Sequence, residues 1–419
     1  MKRIFYLLYI IIPLYIYGCK EEGRIDQIDD SVAAPAPVTV LGTTSIPGGA
    51  TIKYKTPNDD NLLGVKVVYT RNGEICESKA SRYVDTLVVE GFGNTDPQEV
   101  KLYSVGVNEK LSTPVSTTIH PLNPPVQTVN FDIDASFGGV MVSLTENHSS
   151  ADLAIVLMLA DTIENTSRTQ WVDLQTFHTK SPTMKFARRG LDPKPGYFGA
   201  YLRDRWNNVS DTIYRTLIPI EEIKLPKDRF RNAALPTDYF TPAEGNNGYR
   251  LENLWIGPEA SHTGDFYASS HSAPMPQWFT IELGHKMSIS RIQKWPRSNY
   301  ELYSGTGPRT FEVWGSTNPN PNGSWDESWK LLGEFEQSKP SGYGEGREVG
   351  PITDEDKDYW YNRTEFNLVP TENAPDPYQT VTHLRFKILS TFNTYGTDAT
   401  MSQIIIGELT FWGQLKDDE

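Results

Sequence analysis

The chain has 419 residues, 38% hydrophobic and 22% charged, a balance that excludes a disordered polyelectrolyte and leaves room for about two to four domains. Its net charge of −14 supplies no basic excess to neutralise phosphates, which argues against nucleic acid as a partner. Aromatic residues reach 11%, with 21 Tyr and 10 Trp, side chains that join an apolar face to a polar handle. The chain begins with Met1-Lys2-Arg3, an apolar run from Ile4 to Tyr17 and then Gly18-Cys19. A basic start, a short apolar core and a small residue make a secretory signal over residues 1–18. The run is too short for a relaxed membrane-spanning helix, which needs about twenty residues, and Pro13 interrupts it.

Ile16-Tyr17-Gly18-Cys19 resembles the lipobox of bacterial lipoproteins, with a bulkier Tyr17 than that pattern usually has. The resemblance implies that Cys19 is lipidated and becomes the first mature residue; an ordinary cleaved signal with an accidental cysteine is the alternative. Lys20-Glu21-Glu22 resembles the acidic tag that carries Bacteroidetes lipoproteins to the outer face of the outer membrane. Two or three acyl chains would moor the protein firmly, because one chain alone binds marginally. With Cys19 spent on lipid, Cys76 is the remaining cysteine, so no intrachain disulfide forms; within Gly73-Glu74-Ile75-Cys76-Glu77 it reads as a packed strand thiol. Residues 19–34 are polar and acidic without an apolar period and read as a flexible tether.

From Pro35 to about Ile220 the pattern is all-β. Candidate strands alternate with period two at Ala50–Tyr54, Gly64–Tyr69, Thr86–Val89 and Val100–Val107, separated by turn clusters such as Pro57-Asn58-Asp59-Asp60. A second copy follows. Pro124-Pro125-Val126-Gln127-Thr128-Val129 echoes Pro35-Ala36-Pro37-Val38-Thr39-Val40, and Gly138-Gly139-Val140-Met141-Val142 echoes Gly48-Gly49-Ala50-Thr51-Ile52. Late strands at Val100–Val105 and Gly196–Tyr201 both end in polar turns, Asn108-Glu109 and Asn207-Asn208. The run Leu153–Ala160 predicts a strand buried on both faces. These features resemble the fibronectin type III fold, which implies two β-sandwiches over residues 35–122 and 123–220. Residues 221–234, charged and proline-bearing, read as a linker, with an extended entry into the last domain as the alternative.

Residues 235–419 carry strand patterns at Gln277–Gly284, Ile289–Ile292, Arg309–Ser316, Trp329–Phe335, Val381–Leu389 and Ile405–Gly413. Trp278, Trp314 and Trp412 alternate within them and read as core. This order of motifs resembles the discoidin family, also called coagulation factor type C, a galactose-binding-like jelly roll. The combined layout resembles surface lipoproteins of Bacteroidetes glycan-utilisation loci. The fold class expected is therefore all-β, two fibronectin-like sandwiches followed by a discoidin-like jelly roll.

No zinc-protease, serine-hydrolase or phosphate-loop motif occurs, and the seven histidines form no close pair on a helical face. Asp354-Glu355-Asp356 reads as a solvated loop rather than half of a glycosidase pair. Binding is the better lead. In an up-and-down jelly roll, alternate loops gather at one end. Those loops hold Trp295, Arg297, Tyr300 and Tyr303, then Tyr343, Arg347, Tyr359, Trp360 and Tyr361, then Phe392, Asn393, Tyr395 and Asp398. Large rings in loops call for a reason, and a pyranose ring supplies one: its C–H face packs on an aromatic ring while its hydroxyls take Arg, Asn and Asp. Trp295 is the expected stacking platform, with Arg297, Tyr300, Tyr303, Trp360, Asn393 and Tyr395 around it. The discoidin resemblance implies the same loops as a ligand site, and the alternative is that Trp295 and Trp360 fold inward as anchors. It also implies a structural calcium near Asp265, but one carboxylate does not define a six- to eight-oxygen shell; no cofactor or metal is assigned. The expected function is non-catalytic capture of carbohydrate at the cell surface, with a glycan ligand, a membrane reached through the lipid and a neighbouring importer or hydrolase as partners. A protein-binding adhesin or scaffold, and after it a glycosidase, are the rivals.

Overall fold

The computed structural model describes residues 31–162, 169–261, 264–297, 302–344 and 348–416. The signal segment, Cys19, Tyr300 and Arg347 lie outside the described residues. Among the described residues no helix is long and apolar enough to cross a membrane.

The first unit is a sandwich of two antiparallel sheets. Gly49–Lys55 runs between Thr39–Ile46 and Thr86–Glu90, and the facing sheet has the order Glu74–Ser81, Leu62–Arg71, Gln98–Gly106, Val115–Ile119. Alternate residues of both sheets, among them Ile52, Tyr54, Val65, Val67, Val100 and Leu102, close its core, with half-buried Cys76 packed at the edge. The second unit repeats this order strand for strand. Gly139–Thr145 runs between Asn130–Ser136 and Met184–Arg189, and the facing sheet reads Thr169–Thr179, Leu153–Thr162, Gly196–Asp204, Ile213–Leu217. The apolar run from Leu153 is thus an interior strand, as its composition predicts.

The glycine echo has a steric cause. Gly48 and Gly138 both take left-handed φ, 65° and 66°. A Cβ on Gly49 would stand 2.1 Å from the Val89 carbonyl oxygen, and one on Gly139 1.7 Å from that of Arg188. The polar turns repeat as well. Ser104 N donates to Ser112 Oγ at 3.0 Å, and Leu202 N donates to Ser210 Oγ at 2.9 Å. The proline entry differs: Pro125–Thr128 makes a single helical turn in the second copy.

The C-terminal unit is built on an eight-stranded sheet with the path Ile223–Lys224, Glu408–Leu415, Gln277–Trp295, Val381–Thr391, Pro308–Ser316, Lys330–Glu336. Arg231–Asn232 and Glu365–Asn367 also pair with Gln277–Trp295. Phe279, Ile281, Phe311, Phe386, Ile388 and Phe411 fill its core. Four expectations change here. The segment read as a linker instead follows its alternative, an extended entry into the last domain, because Ile223–Lys224 and Arg231–Asn232 pair with strands of this sheet. The two strands expected between Gln277 and Ile292 are one 19-residue strand; its register shifts between Glu282 and Met287, where Gly284 has a φ of 66°. Asp354-Glu355-Asp356 is the first turn of helix Asp354–Asn362, where acidic side chains meet free amides. Trp278, Trp314 and Trp412 are half-buried rather than core; the first two pack on Trp325, and Trp412 lies under Arg291 at 4.0 Å.

Side chains join the units. Between the first two, Asn208 Nδ2 donates to Gly91 O at 3.0 Å and Gln127 Nε2 to Gly93 O at 2.8 Å. Between the second and third, Glu222 accepts from Arg189 Nη1 and Ser290 Oγ, both at 2.5 Å, with Arg291 Nη2 at 3.4 Å. Removing that carboxylate leaves two guanidiniums facing each other. Glu222→Ala is expected to weaken the junction by about 2 kcal/mol. Faster cleavage of the 221–228 segment in limited proteolysis is the expected readout; an unchanged rate would show that the ion cluster does not hold the junction.

Candidate loop site of the C-terminal unit

The site follows from strand register. Pro308 pairs with Thr391, and Thr310 lies between Ser390 and Glu336, so three strands end side by side and their loops meet. Backbone bonds tie the loops together. Phe392 N donates to Gly307 O at 3.1 Å and Asn393 N to Gly305 O at 2.9 Å. The loop after Glu336 is organised around the buried Asp356 carboxylate. It accepts from Ser341 N at 2.9 Å, Ser341 Oγ at 2.7 Å and Thr353 N at 2.8 Å, with Lys339 Nζ at 3.3 Å. Burial would raise this carboxyl, but the Thr353 and Ser341 donors win and hold it far below the usual carboxylate range. The Thr353 N bond, with the reciprocal Asp356 N to Thr353 Oγ1 bond at 3.1 Å, forms a capping box that starts the helix.

The expected ligand residues divide into three groups. Tyr303 and Trp360 are 1% and 3% exposed. Tyr303 donates its hydroxyl to Asp356 O at 2.7 Å, and the two rings pack at 4.8 Å. Both are corrected from contacts to anchors: ring burial outweighs exposure once the helix closes over the loop. Trp295 and Arg297 are half-buried and engaged within the fold. Trp295 Nε1 donates to Thr410 Oγ1 at 3.0 Å, and Arg297 stacks over Phe266 at 4.4 Å. Trp295 is therefore a braced wall residue rather than a free platform.

The third group stands open. Asn393 is exposed and Tyr395 half-exposed. The Arg309 guanidinium lies between two rings, 3.5 Å from the Tyr395 centroid and 4.3 Å from that of Tyr343. Its Nε and Nη2 donate to Glu336 Oε1 at 3.3 and 3.2 Å. Such a stack holds both rings in fixed orientation beside one amide and one carboxylate. Arg309 and Glu336 were missed because they sit at strand ends, where the sequence shows ordinary alternation.

Beneath the loops lies Lys294, buried within the strand. Its Nζ is 5.3 Å from the Trp360 ring centroid and 3.5 Å from Pro308 O. Burial pushes this ammonium down to about 7. Asp265 is exposed, and among the described residues no three His, Cys, Asp or Glu side chains are grouped to hold a metal ion.

Three family models match the chain in succession, each described as a domain of unknown function: DUF4959 over residues 35–121, DUF5126 over 122–228 and DUF5000 over 257–413. No curated protein matches. Among solved structures, the chain is similar to a SusE-like protein at 26% identity, covering 70% of this chain and 100% of that one, with a TM-score of 0.42. It is similar to a family 32 carbohydrate-binding module from Clostridium perfringens, solved with GalNAc-β-1,3-galactose, at 14% identity over 45% of this chain and 99% of that one (TM-score 0.28). It is also similar to a two-domain fibronectin type III segment of chicken tenascin at 12% identity over 44% of this chain and 99% of that one (TM-score 0.19).

Proposed function

We propose that this chain is a non-catalytic glycan-binding protein, moored to the outer face of the outer membrane through lipid on Cys19. Its C-terminal loops capture carbohydrate for a neighbouring importer or hydrolase. The observation that carries this reading is the Tyr395–Arg309–Tyr343 stack beside exposed Asn393 and Glu336. A braced ring offers a sugar C–H face its partner, and the amide and carboxylate offer directional bonds to hydroxyls. Ordering the rings beforehand lowers the entropy cost of binding. Two carboxylates at these loops are engaged: Asp356 by Ser341, Thr353 and Lys339, and Glu336 by Arg309. That arrangement suits holding a sugar rather than moving a proton to its glycosidic oxygen.

Titration calorimetry of the full chain against a panel of neutral mono- and oligosaccharides tests the reading. Tyr395→Ala and Asn393→Ala are each expected to weaken binding about tenfold or more, about 1.4 kcal/mol. Trp295→Ala is expected to act through loop position and to cost less. Unchanged affinity in Tyr395→Ala removes the proposed site, and retention of a protein partner with no sugar bound returns the adhesin reading.

A further inference from the structure

The middle sandwich carries an aromatic surface of its own, far in sequence from the C-terminal loops. Trp171, Tyr197 and Tyr214 are 40%, 47% and 44% exposed. Their ring centroids lie 5.3 to 5.7 Å apart, and the two tyrosines are within 17° of parallel. They stand on the sheet formed by Thr169–Thr179, Leu153–Thr162, Gly196–Asp204 and Ile213–Leu217. Its other face, with Leu153, Ile155, Leu157 and Phe198, packs into the core, so the rings belong to the side that an antiparallel sandwich ordinarily leaves polar. Three adjacent rings held in water form a contiguous apolar patch, the kind of surface that marks a binding site.

The floor of the patch is shaped for it. Met158, Gly199 and Tyr214 are register partners across three strands. A Cβ on Gly199 would meet Met158 Cε, Trp171 Cζ3 and Tyr214 Cε1, each at 3.2 Å. The missing side chain lets the rings settle low and side by side. Alternate strand residues share a face, so Tyr197, Gly199, Tyr201 and Arg203 continue in one line. At the Arg203 end the line opens into a groove of about 410 Å³, lined by Asp152, His178, Arg203, Asp204, Arg205 and Asn207. The groove mixes carboxylates with guanidiniums, so its charge favours neither an anionic nor a cationic ligand. A strip of rings continuous with mixed polar donors and acceptors complements a neutral polyhydroxyl chain, with ring faces under sugar C–H faces and hydroxyls in the groove.

We propose that this face of the middle sandwich is a second glycan-binding surface, specific for a neutral polysaccharide chain and independent of the C-terminal loop site. Affinity electrophoresis of the full chain through native gels containing galactomannan, arabinoxylan, xyloglucan, pullulan or α-mannan tests it. The chain is expected to be retarded by at least one of these. Retardation should persist in a Tyr395→Ala/Asn393→Ala variant and vanish in Trp171→Ala/Tyr214→Ala with an unchanged melting temperature. Tyr197→Thr, which keeps β propensity, should weaken retardation about tenfold and guards against misfolding of the double variant. Retardation by none of the polysaccharides overturns the proposal, as does equal retardation of the Trp171/Tyr214 variant. Loss of retardation in the Tyr395/Asn393 variant alone overturns it while leaving the C-terminal site standing. A change from dimer to monomer on removing the rings would make the face a contact between copies of this chain, and also overturns it.

Discussion

Asp238→Asn is expected to destabilise the C-terminal unit by about 3–5 kcal/mol, the cost of stranding a buried charge. The charge stranded is Arg385, fully buried in the strand Val381–Thr391. Its guanidinium is packed near the rings of Trp329 and Trp325, with centroids 4.2 and 4.7 Å away. Nε donates to Thr280 Oγ1 at 2.9 Å and Nη1 to Gly323 O at 3.2 Å. Nη2 stands 3.2 Å from Asp238 Oδ1 as an ion pair, without hydrogen-bond alignment. Burial pushes the Asp238 carboxyl up and the Arg385 guanidinium down, each partly restored by the other. The pair is thus costly to bury and costlier to halve. Urea unfolding of Asp238→Asn measures the loss, and an Asp238→Asn/Arg385→Met double variant is expected to recover part of it. A loss below about 1 kcal/mol in the single variant would mean that solvent reaches Arg385 and the pair is not structural.

Lys294 gives the second large effect, and it depends on pH. The folded ammonium is pushed down to about 7 from an ordinary 10.5 by burial. Between those values the unfolded chain binds a proton that the folded chain has released, so stability rises as pH climbs from about 7 toward about 10.5. Below about 7 both states are protonated and the penalty is complete, on the order of 3–5 kcal/mol. Lys294→Met keeps the length of the side chain and removes the charge. It is expected to stabilise the fold by about 3 kcal/mol at pH 6, with the gain shrinking as pH rises through the window. Urea unfolding at pH 6, 8 and 10 checks this, and parallel pH profiles for the two proteins would show that Lys294 reaches water. The wild-type residue lies below the loops, with Trp360 and Pro308 as its neighbours.

Much of the architecture was legible because strands declare themselves locally. Period-two alternation located Gly49–Lys55, Leu62–Arg71, Thr86–Glu90 and Gln98–Gly106 within one or two residues at most ends. The repeated Gly-Gly and late polar turns pointed to a tandem pair, and the identical strand order of the two units agrees. The candidate site was legible as a set of loops and not as a set of contacts. Trp295, Tyr303, Trp360 and Tyr395 are all aromatic loop or loop-border residues, yet two are anchors, one is a braced wall and one is open. What separates them is the helix Asp354–Asn362, whose acidic start read as a solvated turn although its capping box, Thr353 with Asp356, is local. What the local window lacks is the burial of Asp356 by Ser341 and Lys339.

The aromatic face of the middle sandwich shows the same boundary. Trp171, Tyr197 and Tyr214 lie on three different strands, and each is an unremarked strand aromatic within its own segment. The strand order brings Gly196–Asp204 between Leu153–Thr162 and Ile213–Leu217, and the register sets Gly199 beside Met158 and Tyr214. The sequence by itself determined the all-β class, the tandem sandwiches and the longer C-terminal unit, since alternation and turn chemistry act over a few neighbouring residues. The tertiary structure alone decided which rings are buried and which face water, which charges are paired and which backbone segments join a sheet. Those outcomes depend on register and on contacts between residues far apart in the chain, which no local pattern encodes.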